Sequence, residues 1–339
     1  MHNFRKVLRT VLLFLLVVLL ISVAFMEVYF RTERGSFQDG SDRDAVAGTL
    51  DTLVCGASHA YRDFNPAVMD ARLGTRTYNI SGSLMTMQGR WELLREEIDR
   101  NPVKTVVLEL SYNTMTRNRE REGTEGDLYV MARLSSFFHR VRFFFTGFRL
   151  NELPSVYYKF LTEGIDTTIE LAEGKPGHPN KRIQGYLPTG PRTSKLNTKY
   201  ESLFHQAKAI KTAIDPYNET YLNKILNLCD EKGVRVILVT TPITKSFLCR
   251  YNNFDVSLSY YRKLAEEHGY DFFDFNLYRE KEELFPDKTM FYDITHLNPD
   301  GADRFSELYA EILQAKDRGE DVSDRFYESY AEMQAAWGY

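Results

Sequence analysis

Cysteine is nearly missing from this chain. Cys55, Cys229 and Cys249 are the only three in 339 residues, and none stands in a C-x-x-C pair. An odd, sparse set builds no disulfide framework and no metal cluster, so the expectation is three buried thiols. Metal-ligand spacings of the H-E-x-x-H kind are lacking too, so neither metal catalysis nor a cofactor is indicated. A large excess of either charge is also lacking. The net charge is −4 with no long basic block, which argues against a nucleic-acid partner. What the chain does have is aromatic residues, at 14%, a composition that favours packed structure over disorder.

One long apolar run is present. Val11 to Met26 is interrupted only by Ser22, follows Arg5, Lys6 and Arg9, and is extended by Val28, Tyr29 and Phe30 to about 20 residues. It reads as an uncleaved single-pass anchor within residues 1–30. The rival reading is a cleaved signal peptide with Ser22 and Ala24 in the small positions of a cleavage site. Bulky Phe25 and Met26 continue the run and favour the anchor. Basic residues tie across the segment, with Arg31, Arg34 and Arg43 on the far side. The closer spacing at the amino terminus places that end in the cytoplasm and the globular part outside it. Residues 31–50, with Gly35, Ser36, Gly40 and Ser41 among charges, read as a linker.

About 300 residues remain, enough for one large domain with an insertion. Residues 51–316 alternate short apolar runs with helical patterns. Thr52 to Cys55, Thr77 to Ile80, Lys104 to Leu110, Arg235 to Thr240 and Tyr270 to Phe275 are the strands. Between them, Asn65 to Leu73, Met87 to Asp99 (Trp91, Leu94 and Ile98 on one face), Tyr217 to Lys232 and Ser257 to Glu267 are helical in period. Asn298-Pro299-Asp300 opens a last helix as cap, first-turn proline and early carboxylate. The alternation predicts an α/β fold, a flavodoxin-like three-layer sandwich around a central parallel sheet of about five strands.

The pattern breaks over about 115–215, read as a helical insertion. Phe137, Phe138, Phe143, Phe144, Phe145 and Phe148 crowd there among His139, Arg140, Arg142 and Arg149. Two readings stand: a helical core with solvated arginines, or a patch on the membrane surface near the anchor. Glu173 to Arg192, with four prolines and four glycines, reads as an irregular loop able to cover an active site. In the tail, residues 317–339, Phe326, Tyr330, Met333 and Trp337 form a helical stripe expected to pack on the domain.

The chemistry concentrates at two turns. The first strand ends in Gly56-Ala57-Ser58, which puts a serine at the carboxyl edge of the sheet, where open α/β sheets place ligands. Asp293-Ile294-Thr295-His296 precedes the last helix. A carboxylate three residues before an imidazole can hold one ring nitrogen and leave the other facing the cleft, as a serine nucleophile requires. Ser58, His296 and Asp293 are therefore the candidate nucleophile, base and orienting acid. Oxyanion donors would be the Ser58 N–H, the Gly82 N–H in the Ser81-Gly82-Ser83 turn, and the Asn113 side chain after the third strand. His59, next to the serine, is expected to diverge from it and act as a structural hydrogen-bonder.

With these positions together, the sequence resembles the SGNH (GDSL-like) hydrolase superfamily over about residues 50–115 and 230–315. The Ser58 turn is similar to its first block, Gly82 to its second, Asn113 to its third, and Asp293 with His296 to its last. The chain departs from the pattern in three places. Ala57 stands for the aspartate of Gly-Asp-Ser, Ser111 for the glycine ahead of the block-three asparagine, and Thr114 follows where aspartate is common. An amino-terminal anchor with Gly-x-Ser-His resembles membrane-bound members acting on cell-envelope polymers, such as the D-alanyl transfer protein of teichoic acid modification and the alginate acetylation proteins. The resemblance implies acyl transfer to a cell-envelope polysaccharide or teichoic-acid-like acceptor, alongside a polytopic membrane acyltransferase. Two alternatives remain open: an esterase or deacetylase using water in the same site, and a non-catalytic binding module that keeps the fold.

Overall fold

The structure, a computed structural model, describes residues 2–32, 42–117, 124–176, 182–188, 190, 196 and 198–339. The strands of its larger sheet are β1 (Thr52–Cys55), β2 (Thr77–Asn79), β3 (Thr105–Glu109), β4 (Arg235–Thr240) and β5 (Asp271–Asp274). The amino-terminal half carries helices α1 (His2–Arg31), α2 (Ser58–Asp63), α3 (Pro66–Leu73), α4 (Met87–Arg100), α5 (Glu125–Arg133), α6 (Phe137–Gly147) and α7 (Leu153–Ala172). Helices α8 (Tyr200–His205), α9 (Pro216–Lys232), α10 (Lys245–Arg250), α11 (Phe254–His268), α12 (Pro299–Asp317) and α13 (Tyr330–Ala336) follow. The chain divides into two compact units, residues 1–41 with 131–180, and residues 42–130 with 181–339.

In the larger unit the five strands form one parallel sheet in the order β2-β1-β3-β4-β5, the flavodoxin-like order. Right-handed crossovers then dictate the layers. The connection from β1 to β2 runs opposite to all later ones, so α3 and the returning α12 share one face and pack together. Helices α4, α9 and α11 take the other, where α4 packs on α9 and α11 on β5. Successive strand residues point to opposite faces, so Val54, Val107, Ile237, Val239 and Phe273 join Phe305, Leu308, Tyr309 and Ile312 of α12 in one core. Truncating a ring such as Phe305 to alanine would cost about 3–5 kcal/mol.

Local signals position the ends. Asn65 accepts from the Ala67 N–H, Pro66 opens α3, and Gly74 closes it in the left-handed region. Asn298 accepts from the Gly301 N–H at 2.9 Å at the start of α12, as its N-P-D sequence predicts. Helix α4 differs from its expected apolar face. Trp91 is half-exposed, while Arg90, Glu92, Glu96 and Glu97 are buried beside Leu94 and Ile98. The charges are tolerated because they pair: Glu97 with Arg43 at 3.5 Å, Glu92 with Arg95 at 3.0 Å, and Arg90 with Glu109 at 3.7 Å.

Arg43 belongs to the stretch expected as a linker. Residues 33–41 of that stretch lie outside the described residues, but 42–50 pack on the domain, with Leu50 buried and the Gly48 N–H donating to Asn101 at 2.7 Å. In the tail, Tyr330 and Met333 are buried with Phe254 and Leu258, as the stripe implied, although the helix begins only at Tyr330 and leaves Phe326 outside it.

The smaller unit joins α1 to the insertion. Residues 4 to 21 of α1 are exposed, without a polar residue from Val11 on, and the helix is long and apolar enough to cross a membrane. From Ser22 onward it packs on α7. A Cβ at Gly164 would lie 2.3 Å from the Phe25 carbonyl oxygen, so the helices meet backbone to backbone there. The rings of Tyr29 and Phe30 sit 5.7 and 5.1 Å from that of Phe160. The expectation of solvated arginines fails at Arg140. It is 3% exposed and bonded to Glu27 of α1 at 2.6 Å, whereas Phe138 is 79% and Phe145 64% exposed. The carboxylate on α1 draws the guanidinium inward and turns those rings outward.

Candidate active site

The sheet's carboxyl edge carries the site. β1 ends at Cys55, Gly56 makes the turn, and Ser58 is the first residue of α2. No other residue fits at position 56. A Cβ there would lie 2.5 Å from the Ala60 Cβ and 2.6 Å from Glu109 Oε2. Glu109, at the end of neighbouring β3, holds the turn by accepting from the Ala57 N–H at 3.1 Å. Arg90 in turn donates to the Glu109 carbonyl and pairs with its carboxylate, both side chains being at most 2% exposed. Asn79, ending β2, donates to the Ala60 carbonyl at 2.8 Å and ties α2 down from the other side.

Residues 238 positions apart meet here: Ser58 Oγ lies 2.9 Å from His296 Nε2. His296 Nδ1 lies 2.8 Å from Asp293 Oδ2. The Asp293 Oδ1 accepts the N–H groups of Thr295 and His296 at 2.8 and 2.9 Å, which folds the D-I-T-H stretch into a tight turn. Burial pushes the Asp293 carboxyl up. The His296 hydrogen bond and charge, with the two backbone donors, outweigh it and hold the group well below the usual carboxylate range. Asp293 is thus charged at neutral pH and fixes the tautomer that offers Nε2 as acceptor to the serine hydroxyl.

Gly82 lies in the turn after β2 and Asn113 in the turn after β3. Asn113 Oδ1 accepts from Ser111 Oγ at 3.1 Å, which leaves its Nδ2 as a donor without an acceptor among the described residues. The backbone N–H groups of Ser58 and Gly82 likewise have no acceptor there.

His59 corrects its expectation. It makes no hydrogen bond among the described residues. Its ring instead lies against that of His296, with centroids 4.9 Å apart, and its buried Nδ1 is 4.0 Å from Asp63. On the first turn of a helix the residue after Ser58 shares a face with the residue four later, so the ring turns inward. Burial, reinforced by His296, holds the His59 imidazole well below its ordinary value, and it is neutral.

Several residues not singled out in the sequence hold the histidine turn. Asp63 Oδ1 accepts from the Leu297 N–H at 3.0 Å, and its Oδ2 from Thr241 Oγ1 at 2.7 Å. One side chain of α2 therefore ties the serine helix to the residue after His296 and to the end of β4. Burial pushes the Asp63 carboxyl well above its usual value. Thr244 donates to the Ile294 carbonyl at 2.7 Å, and Asn276, beyond β5, bonds both Ile243 and Thr241. Arg62 stands 3.9 Å from Asp293 over the Tyr61 and Tyr292 rings. The available signals were a carboxylate ending an apolar strand (Glu109) and an acid one helical turn past His59 (Asp63).

The loop expected to cover the site is described at residues 182–188; much of the rest lies outside the described residues. Those residues pack beside α2: the Leu187 N–H donates to the Tyr61 carbonyl at 2.9 Å, and Arg182 lies over the Tyr61 ring. Gly185, at φ +82, comes so close to Asn79 that a Cβ would overlap its carbonyl oxygen.

A family model for an uncharacterised family matches residues 205–316, which hold β4, β5 and the Asp293–His296 turn but not Ser58. No curated protein matches the chain.

Proposed function

We propose that this protein is an SGNH-type serine acyltransferase that passes an acyl group to a cell-envelope glycopolymer through an acyl-serine intermediate. The observation that carries the reading is the hydrogen-bonded chain from Ser58 through His296 to Asp293 at the carboxyl edge of a parallel sheet. Ser58 Oγ attacks the acyl carbonyl while His296 Nε2 takes its proton. The oxyanion is stabilised by the Ser58 and Gly82 N–H groups and Asn113 Nδ2, each worth about 3–4 kcal/mol if aligned. The carbon–oxygen bond to the leaving group then breaks, and His296 returns the proton to that group. An acceptor hydroxyl, deprotonated by the same imidazole, attacks the acyl-serine and restores Ser58.

The anchor supports transfer over free hydrolysis, because a tether raises the effective concentration of a membrane-borne acyl donor. On this reading α1 crosses the membrane with its amino terminus in the cytoplasm, and a polytopic acyltransferase supplies the acyl group. The second reading, an esterase or deacetylase, is favoured by the openness of the triad, since the Asp293 side chain is 29% exposed and water has access. Purified protein given an activated acyl ester should form an acyl-Ser58 that turns over slowly in buffer. An added carbohydrate acceptor should speed its release and become acylated. Rapid hydrolysis that no acceptor diverts would make the protein an anchored esterase. No acylation at all would leave a binding module.

A further inference from the structure

The smaller unit carries an open cavity of about 310 Å³ between α1, α6 and α7, walled by side chains such as Leu19, Val23, Phe144 and Phe160. Its position along α1 is what gives it meaning. The apolar run of α1, Val11 to Met26, broken only by Ser22, spans about 24 Å at 1.5 Å per residue, most of the hydrocarbon thickness of a bilayer. The cavity wall starts at Leu19, inside that run, and continues to Phe30, where α1 is covered by the insertion helices. Apolar space therefore runs without a break from the level of the acyl chains to the level of the headgroups.

The lining is almost wholly apolar. Glu27 and Arg140 border it and bond each other at 2.6 Å, and Arg140 also donates to the carbonyls of Leu134 and Ser135. Beside it, Phe137, Val141 and Phe145 present exposed apolar surface on α6, a face suited to the interfacial region.

We propose that this cavity binds one acyl chain of a bilayer glycerophospholipid. The inference rests on the membrane reading of α1. Bound lipid would fix how the insertion helices sit at the bilayer surface.

The test uses full-length protein in nanodiscs containing phosphatidylglycerol with a diazirine in its acyl chain, and in a parallel set a diazirine fatty acid. Washing membranes with carbonate beforehand reports separately whether the protein is membrane-integral, so failure of the membrane reading is seen on its own. Photolabelling by the phospholipid is expected on peptides of α6 and α7. It should fall at least fivefold in Val23→Trp and in Val141→Trp, which fill the cavity, while labelling of the exposed part of α1 is unchanged. Native mass spectrometry of the unaltered protein should show one retained glycerophospholipid, an arm that needs no variant to fold. Labelling confined to the exposed part of α1, undiminished labelling in folded filled variants, labelling by the fatty acid alone, or no retained phospholipid would each overturn the proposal.

Discussion

Asp63 links stability and reactivity through one side chain, and replacing it separates the two. In Asp63→Ala the Leu297 N–H and the Thr241 hydroxyl lose acceptors at 3.0 and 2.7 Å in a buried setting. Each orphaned donor costs about 1–3 kcal/mol, so about 2–6 kcal/mol of stability should go. Leu297 follows His296 directly, so the imidazole loses the anchor that sets its 2.9 Å approach to Ser58. A displacement of about 1 Å is worth on the order of 100-fold in rate. Asp63→Asn behaves differently. Burial already favours the uncharged carboxyl, and an amide has the same shape and keeps one acceptor. Its loss should be about 1–2 kcal/mol and its rate within about tenfold of the parent. Urea midpoints and fluorophosphonate labelling rates on the same preparations give both quantities. A folded Asp63→Ala protein labelled at the parent rate would refute the reasoning, because the histidine turn would then be held by something else.

Two further outcomes follow from the same geometry. Gly56→Ala should destabilise by about 3 kcal/mol or more and abolish labelling, since its Cβ would meet Ala60 and Glu109 within 2.6 Å; an unchanged melting temperature would contradict the close-packed turn. Burial pushes Asp274 up to about 6 against the opposing hydrogen bonds of Tyr330 and Asn276, so the folded state keeps a proton that the unfolded chain releases near pH 4. The Asp274 contribution to stability should therefore be greatest below that pH, fall by an amount on the order of 3 kcal/mol as pH rises through about 6, and be level above. Asp274→Asn should flatten that slope in urea titrations, and an unaltered slope would assign it to other groups.

The sheet was legible because its strands are short apolar runs closed by Gly, Asn or Pro, and all five fall within a residue or two of their expected bounds. The meeting of Ser58 and His296 followed from topology alone, since both turns belong to the carboxyl edge. The supporting side chains were hidden for a physical reason. Glu109 and Asp63 act through contacts with residues 52 and 234 positions away, which no local period encodes. His59 was misread only as a hydrogen-bonder, because its buried ring packs on that of His296, a contact 237 positions away. The joining of α1 to the insertion was equally invisible, because Gly164 signals close helix approach only once Phe25 is known to face it.

The most direct measurement is fluorophosphonate labelling of the full-length protein, with the adduct mapped by mass spectrometry. The account predicts a single adduct on Ser58. Labelling should be abolished in Ser58→Ala and reduced at least 1,000-fold in His296→Ala, with less damage in Asp293→Ala because other groups partly orient an imidazole. Undiminished labelling in a folded Ser58→Ala protein, or a His296→Ala protein labelled at the parent rate, would contradict it.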